Sequence, residues 1–193
     1  MKILILGGSL FVGKSFANLI KQKCPAAKIY LANRGLSGEC DIQIDRNLEE
    51  SCKLLKNSTY DVVVDFSCYD LNQMRNTFQN LHFNKYIFIS SSAVEALPLF
   101  NVGPQDYEMA RYAMNKKACE DFIINNVEDY SIIRPCYIVG DNDYTNRFLK
   151  TSEGKYLWKS DGVELTYYIE VERLSEIIFS HFSEKNSIVN PCL

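Results

Sequence analysis

The first twenty residues constrain the fold most, because an unbroken apolar run stops at two glycines and a helical pattern follows. The run at residues 3–6 suits a parallel strand that is covered on both faces. Beyond the glycines, apolar side chains recur at the spacing of one helix face, at Val12, Phe16, Leu19 and Ile20. The N-terminus of this predicted helix, near Phe11, faces the glycine turn, and such a terminus is an anion-binding site.

The spacing within the turn matches what a pyrophosphate requires. Gly7 permits the tight turn, and a small residue at Gly8 or Ser9 lets backbone N–H groups approach the phosphates. Gly13 lets the helix pack closely on the strand. Leu10 occupies the position where the usual fingerprint has its second glycine. Taken alone, the motif indicates either a dinucleotide-binding turn or only a tight connection from strand to helix.

Composition excludes several classes of function. The net charge is −3 and no basic face is concentrated in the sequence, which argues against nucleic acid as a partner. The two histidines, His82 and His181, are far apart, and we predict no metal site. Seven cysteines without a C-x-x-C pair are typical of a cytosolic protein in which most cysteines are small apolar core residues. The N-terminal apolar stretch is too short for a signal peptide or a membrane span, so we expect a cytoplasmic protein that does not bind membranes.

Strand-like runs alternate with helical patterns along most of the chain. Strands are predicted at residues 28–32, 41–45, 61–66, 85–90, 130–134 and 187–189. Helices are predicted at 47–56 with Asn47 as N-cap, and at 71–82, 107–126 and 171–182. A hairpin is predicted at 155–168 around Ser160-Asp161-Gly162. This alternation predicts an α/β fold of Rossmann type, a doubly wound parallel sheet with helices on both faces and ligands at the carboxyl ends of the strands.

The end of the second strand bears on the choice of cofactor. An NAD-binding unit usually places a carboxylate here to accept hydrogen bonds from the ribose 2′-OH. This chain has Asn33 followed by Arg34. An arginine without a neighbouring carboxylate suits a 2′-phosphate, so NADP(H) is favoured over NAD(H). A solvated loop arginine is the alternative.

Two separated features indicate proton chemistry. A run of serines, Ser90-Ser91-Ser92, ends a central strand, and Tyr112 and Lys116 share one face of the following helix. A nearby ammonium and an oxidised nicotinamide would lower the pKa of a tyrosine from its usual value of about 10 and make Tyr112 a general acid or base. A serine hydroxyl beside it would hold the substrate oxygen. Each feature alone is common by chance, and the serines can simply satisfy backbone groups.

The order of these segments resembles the atypical branch of the extended short-chain dehydrogenases/reductases, the NAD(P)-dependent epimerase/dehydratase family. Residues 7–13 are similar to that family's GGTxFxG turn. Further segments follow in the family's order, at 33–35, 45–47, 61–66, 89–91, 112–116, 134–140 and 168–174. The resemblance therefore covers nearly the whole chain.

The resemblance implies roles for individual residues. The pyrophosphate would lie against Gly7, Gly8, Ser9, Leu10, Phe11, Val12 and Gly13, and the remaining cofactor contacts would be Asn33, Arg34, Asp45, Arg46, Phe66, Ser67, Lys116, Pro135 and Cys136. Within that set, Asp45 and Arg46 would contact the adenine and Lys116 the nicotinamide ribose. Tyr112 would be the catalytic acid or base. Ser91 would be the catalytic hydroxyl because it precedes Val94 as in the family's S-x-x-V-Y, with Ser92 the alternative if the register shifts by one; Glu95 replaces that motif's tyrosine.

The chain departs from the family in length, because only 77 residues (117 to 193) follow Lys116. We therefore predict one NAD(P)-binding domain, residues 1–193, with 141–170 as a small substrate-binding insertion. The resemblance implies an epimerase, dehydratase or reductase acting on a sugar or sugar-nucleotide, with Arg147 as a candidate substrate contact. A non-catalytic regulatory protein that senses NADP(H) is the alternative. Relatives commonly form homodimers through the helix that carries Tyr112.

Overall fold

The computed structural model describes residues 1–100 and 106–192 and contains eleven strands and five α-helices in this described part. In chain order the strands are β1 (Lys2–Leu6), β2 (Lys28–Asn33), β3 (Ile42–Gln43), β4 (Thr59–Asp65), β5 (His82–Ile89), β6 (Tyr130–Ile133), β7 (Tyr137–Val139), β8 (Phe148–Lys150), β9 (Tyr156–Trp158), β10 (Tyr168–Glu170) and β11 (Ser187–Val189). The helices are α1 (Phe11–Lys23), α2 (Glu49–Cys52), α3 (Leu71–Phe78), α4 (Tyr107–Asn126) and α5 (Val171–Ser180).

Seven strands form one parallel sheet in the order β11-β6-β5-β4-β1-β2-β3. From β1 the chain first builds outward through β2 and β3, and it then returns to the other side of β1 with β4. Ligands of open α/β sheets bind at such a reversal, beyond the carboxyl ends of the strands. The predicted Rossmann-like fold is therefore confirmed, and its crevice lies beyond β1 and β4.

Helices cover both faces of the sheet because alternate side chains of each buried strand point to opposite faces. On one face, Leu4 and Val63 belong to a buried cluster with Met74 of α3 and Ile123 of α4. On the other face, the neighbouring strand residues belong to a second buried cluster with side chains of α1 and α5, among them Ile5, Val64, Phe16 and Leu174. Helix α4 spans the residues predicted for it, which places Tyr112 and Lys116 on the first of these faces.

The predicted helix at 47–56 begins differently from the expectation. Helix α2 starts at Glu49 with Leu48 as its N-cap, and a 3₁₀ segment continues it over Lys53–Asn57. Asn47 is not the cap, because its backbone N–H and its side-chain amide both donate to Asp45 Oδ1 at 2.9 Å. The carboxylate of Asp45 thereby shapes the turn that leaves β3.

The hairpin predicted at residues 155–168 is only partly correct. The turn exists, since Gly162 has a φ of +72° and its N–H donates to the Trp158 carbonyl at 2.8 Å. However, β9 pairs in antiparallel fashion with β8, which precedes it, and β10 pairs in parallel with β7. The segment after Gly140 is thus attached through β10 to β7, which lies outside the seven-stranded sheet. Strand β7 directly follows β6 along the chain.

The cysteines fall into two groups. Five are free thiols, of which Cys52, Cys68 and Cys119 are buried and Cys24 and Cys40 are half-buried, so fewer cysteines are core residues than the sequence predicts. Cys136 and Cys192 instead form a disulfide, with a Cα–Cα distance of 6.0 Å. The two cysteines are 56 residues apart in the sequence, and no motif there predicts that they pair. None of the helices in residues 1–100 and 106–192 has the length and apolar character needed to cross a membrane.

Candidate functional site

A cleft of about 1030 Å³ lies over the carboxyl ends of β1, β2, β4 and β5. This volume is at the upper end of the range for small-molecule sites, which is about 300–1,000 Å³. Almost all residues predicted for cofactor, substrate and catalysis line it, namely Gly7, Ser9, Leu10, Phe11, Val12, Gly13, Asn33, Arg34, Asp45, Arg46, Phe66, Ser67, Ser91, Tyr112, Lys116, Pro135, Cys136 and Arg147. Gly8 is the one predicted residue that does not.

The glycine turn is bare backbone because side chains would not fit there. Gly7 has a φ of +85°, and a Cβ on it would lie 2.8 Å from Ser67 Cβ. A Cβ on Gly13 would lie 2.2 Å from the Gly7 carbonyl oxygen, so α1 could not pack this closely on β1 with any other residue. Gly8 faces the sheet, where a Cβ would lie 2.8 Å from side-chain atoms of Ile5 and Leu31. The turn therefore fits the predicted pyrophosphate cradle, with Gly8 serving the packing beneath it.

The N-terminus of α1 is open to an anion. Its N-cap, Leu10, makes no side-chain cap hydrogen bond, and the first turn of the helix has no acidic residue. The backbone of Phe11 has a φ of +33°, which is unusual for a residue with a side chain. The uncapped N–H groups carry the positive end of the helix dipole.

Arg34 lies at the cleft beside the end of β2 and is exposed. Among the described residues, no carboxylate lies within ion-pair distance of it. Asn33 is occupied with shaping this loop, since its Oδ1 accepts from the Gly35 N–H at 2.7 Å and its Nδ2 donates to the Glu39 carbonyl at 2.9 Å. A cation thus stands where an NAD-binding unit usually has a carboxylate.

Arg46 is largely buried under the cleft. Its Nη1 donates to Asp65 Oδ1 at 2.7 Å and its Nε to Thr77 Oγ1 at 2.8 Å. Burial by itself raises the pKa of Asp65, but the Arg46 guanidinium holds that pKa below its usual value. Tyr86 also donates to this carboxylate, at 2.5 Å. The Arg46 Nη2 is buried without a partner among the described residues, so one donor remains at the cleft floor.

Lys116 is almost completely buried and its ammonium is engaged. Nζ donates to the carbonyl of Cys68 at 2.7 Å and to that of Ile89 at 2.9 Å. Burial lowers the pKa of this ammonium. Because an ammonium has three N–H donors, one remains for the predicted ribose contact. Lys116 also joins the ends of β4 and β5, which the sequence did not predict.

Tyr112 and Ser91 meet in the cleft. In the protein alone, burial raises the pKa of Tyr112 and the Ser91 hydroxyl opposes the rise. The expectation that Lys116 lowers this pKa is wrong for the protein alone, because the ammonium lies 6.0 Å from the ring centroid and is held by the two carbonyls. The cation that does stabilise the phenolate is that of Arg147.

The three serines differ in their surroundings. Ser90 is buried and its hydroxyl donates to Glu120 Oε1 at 2.6 Å, which removes it from the cleft chemistry. Ser91 Oγ accepts a hydrogen bond from the Ala93 N–H at 3.2 Å and keeps its own proton available. Ser92 also lines the cleft, but the hydroxyl that opposes the rise in the pKa of Tyr112 is that of Ser91.

Several cleft residues were not predicted from the sequence. They share aromatic or long apolar side chains and include Tyr69, Phe100, Met109, Tyr137 and Tyr144. Met109 is 45% exposed at the cleft. No local motif marks these positions; the only signal was the number of tyrosines, which is 12.

Arg147 also lines the cleft, together with these aromatic side chains. Its Nε donates to Thr145 Oγ1 at 3.0 Å, and its guanidinium lies 5.1 Å from the ring centroid of Phe148. No carboxylate in the described part of the chain forms an ion pair with it. The side chain is therefore anchored while its charge remains uncompensated.

Comparison with solved structures shows that the fold is a known one. UDP-glucose 4-epimerase of Thermus thermophilus, solved with NAD, superposes with a TM-score of 0.71 at 12% identity over 100% of this chain and 78% of that chain. Anaerobillin reductase of Escherichia coli O157:H7 gives a TM-score of 0.70 at 12% identity, over 98% of this chain and 96% of that one. UDP-N-acetylglucosamine 4-epimerase of Methanobrevibacter ruminantium M1 gives 0.67 at 18% identity, over 98% and 75%.

These TM-scores establish that the chain shares a Rossmann-like α/β fold with these proteins. No protein-family model matches the sequence, and no curated protein matches it. The chemistry of this chain consequently has to be argued from its own residues.

Proposed function

We propose that this chain is an NADP(H)-dependent enzyme of the short-chain dehydrogenase/reductase type. The observation that carries the proposal is that Tyr112 and Ser91 meet in the same cleft as the bare glycine turn. Solved structures that share the fold include epimerases and a reductase. Reduction, epimerisation and dehydration all begin or end with hydride transfer at a carbon that bears an oxygen, and the proposal covers all three.

The residues of the cleft would hold the cofactor in a defined order. The turn at residues 7–13 and the open N-terminus of α1 would bind the pyrophosphate. Arg34 would bind the 2′-phosphate, because a guanidinium pairs well with phosphate oxygens. Asp45 and the free Nη2 of Arg46 would lie on the adenine side, and the third N–H of Lys116 on the ribose side. When bound, the nicotinamide supplies or accepts the hydride.

Tyr112 would move the proton that accompanies the hydride. Burial keeps its phenol protonated at neutral pH in the protein alone, which suits a general acid toward a carbonyl oxygen. The hydroxyl of Ser91 would hold that oxygen within reach of Tyr112. Arg147 would stabilise the phenolate that forms when Tyr112 gives up its proton.

A non-catalytic NADP(H) sensor is the second candidate, and one observation favours it. The ammonium of Lys116 is fixed by two backbone carbonyls and not directed at the Tyr112 hydroxyl. In a sensor the lysine would only stabilise the fold. Tyr112→Phe distinguishes the two candidates: an enzyme loses turnover and still binds cofactor, whereas a sensor retains both its cofactor affinity and its response.

Thermal unfolding with NADPH, NADP⁺, NADH and NAD⁺ tests the cofactor assignment. A ligand at one hundred times its Kd stabilises the native state by about 2.7 kcal/mol, which is a shift of several degrees for a domain of this size. We expect larger shifts with the phosphorylated pair. Arg34→Leu should remove that preference, whereas Arg173→Leu, an exposed position on α5, should leave it unchanged. If none of the four nucleotides raises the midpoint, the proposal fails.

A further inference from the structure

The far end of the cleft, beyond Tyr112, has an aromatic wall made of Tyr69, Tyr137 and Tyr144. These side chains are 52%, 36% and 64% exposed, and all three line the cleft. Burial raises the pKa of Tyr69 and the neighbouring phenol of Tyr144 adds to this rise, while Tyr69 in turn adds to the rise in the pKa of Tyr112. Exposed aromatic faces in a concave site are surfaces for stacking.

Tyr137, one side chain of this wall, is held in place by packing behind it. The ring of Tyr137 meets that of Trp158 edge-on at 4.9 Å and that of Phe148 at 5.8 Å. The guanidinium of Arg147 in turn lies over the ring of Phe148, 5.1 Å from its centroid. The rings behind Tyr137 therefore come from the segment after Gly140, which also contributes Tyr144 and Arg147 to the cleft.

The amide side chains of the cleft are already engaged. Gln73 accepts from the Tyr69 N–H at 3.0 Å and donates to Asn47 at 3.0 Å, while Asn47 donates to Asp45. The carboxylate of Glu108 is ion-paired with Arg111. The side chains of Gln73 and Glu108 are therefore already paired, and the polar groups left at this end are hydroxyls and the Arg147 guanidinium.

We propose that this end of the cleft binds a flat, conjugated carbonyl compound that carries a carboxylate, with Arg147 on the carboxylate and the tyrosines against the ring. This inference rests on the proposed function. In turnover Tyr112 would give its proton to the carbonyl oxygen while a bound reduced nicotinamide would supply the hydride to the carbonyl carbon, so that the products would be an alcohol and the oxidised cofactor. Tyr112 recovers its proton from solvent.

Binding of 4-acetylbenzoate and acetophenone, measured by calorimetry on protein saturated with NADP⁺, tests the inference without turnover. The two ketones differ only by the carboxylate. We expect 4-acetylbenzoate to bind about tenfold or more tightly, as one charge-assisted hydrogen bond implies. Arg147→Met should abolish this difference, whereas Lys155→Met, an exposed lysine paired with Glu164, should preserve it.

UDP-glucose represents the competing class of substrate, a sugar-nucleotide. Tighter binding of UDP-glucose than of 4-acetylbenzoate, or an Arg147→Met protein that still prefers the carboxylate, would overturn the inference. Tyr144→Leu should weaken both ketones, because it removes part of the wall that they share. A protein that responds to NADPH in thermal unfolding but fails these tests refutes only the substrate class. A protein that responds to no nucleotide refutes the proposed function itself.

Discussion

Gly13 shows how a single position determines whether the cleft can form. A Cβ on Gly13 would lie only 2.2 Å from the Gly7 carbonyl oxygen, which belongs to the backbone of the turn. The close packing of α1 on the turn therefore depends on the missing side chain. Gly13→Ala should therefore push α1 away from β1. We expect a loss of about 1–3 kcal/mol in the free energy of unfolding and no thermal shift with NADPH.

Gly8→Ala is the matched control, measured by urea unfolding with and without NADPH. Its added Cβ meets only side-chain atoms of Ile5 and Leu31, which can move, and Gly8 does not line the cleft. This variant should lose stability but keep its nucleotide response. A Gly13→Ala protein that binds NADPH as the natural chain does would contradict the role assigned to the turn.

Tyr112 gives a prediction about pH. Burial raises its pKa, so in the protein alone its phenol should titrate above about pH 10. The difference in absorbance at 295 nm between the natural chain and Tyr112→Phe isolates this group from the other tyrosines. Addition of NADP⁺, whose nicotinamide is positively charged, should lower the midpoint, whereas NADPH should not. Equal midpoints with the two nucleotides would argue against a nicotinamide beside Tyr112.

At the scale of residues, spacing predicted which positions reach the cleft but not what each one does there. The turn and Tyr112 could be found because motif positions are fixed by local geometry, whereas Arg147 was found only through the family resemblance. The engagement of Arg46 could not, because its partners Asp65 and Thr77 come from distant parts of the chain. The same holds for Lys116, whose carbonyl partners follow two other strands.

Among the elements, α4 is fixed to the sheet by a buried ion pair. Arg134, at the end of β6, donates to both carboxylate oxygens of Glu120, at 2.9 and 2.7 Å. Glu120 is fully buried and also accepts from Ser90. Glu120→Gln should cost about 3 kcal/mol in unfolding free energy, because it leaves the largely buried Arg134 with only the exposed carboxylate of Glu95 as an ion-pair partner.

Asp121→Asn on the same helix is the control for this tether. Asp121 is exposed and pairs only with Lys117, so we expect a change below about 1 kcal/mol. Chemical denaturation of both variants measures the difference. Similar losses in the two proteins would show that the buried pair contributes little to holding the helix.

The elements themselves were predicted well where one pattern determines them. Helix α4 and the buried strands β1, β4 and β5 have strong periodicity or long apolar runs, and their existence was clear from the sequence. A strand was predicted at residues 41–45 and β3 lies within it but has only two residues, whereas the pairing of β10 with β7 was missed. Such short strands are defined by their hydrogen-bonding neighbours, which come from other parts of the chain.

In the molecule as a whole, the disulfide between Cys136 and Cys192 links the cleft to the C-terminal edge of the sheet. Cys136 lines the cleft, and Cys192 follows β11, the outermost strand beside β6. A cross-link over 56 residues removes enough chain entropy from the unfolded state to contribute about 4 kcal/mol. Its removal should therefore affect both the stability of the fold and the end of the cleft beside Cys136.

Cys192→Ser and treatment with dithiothreitol should produce the same loss of stability in urea unfolding, about 2–4 kcal/mol. Dithiothreitol should not destabilise Cys192→Ser further, because the remaining thiols are free in the described structure. Cys40→Ser, at one of those free thiols, should behave as the natural chain does in both conditions.

Thiol counting on unfolded protein gives an independent result, since two cysteines should react only after reduction. If all seven react without reduction, the link is absent in solution, and the edge strand is then held by its pairing with β6 alone.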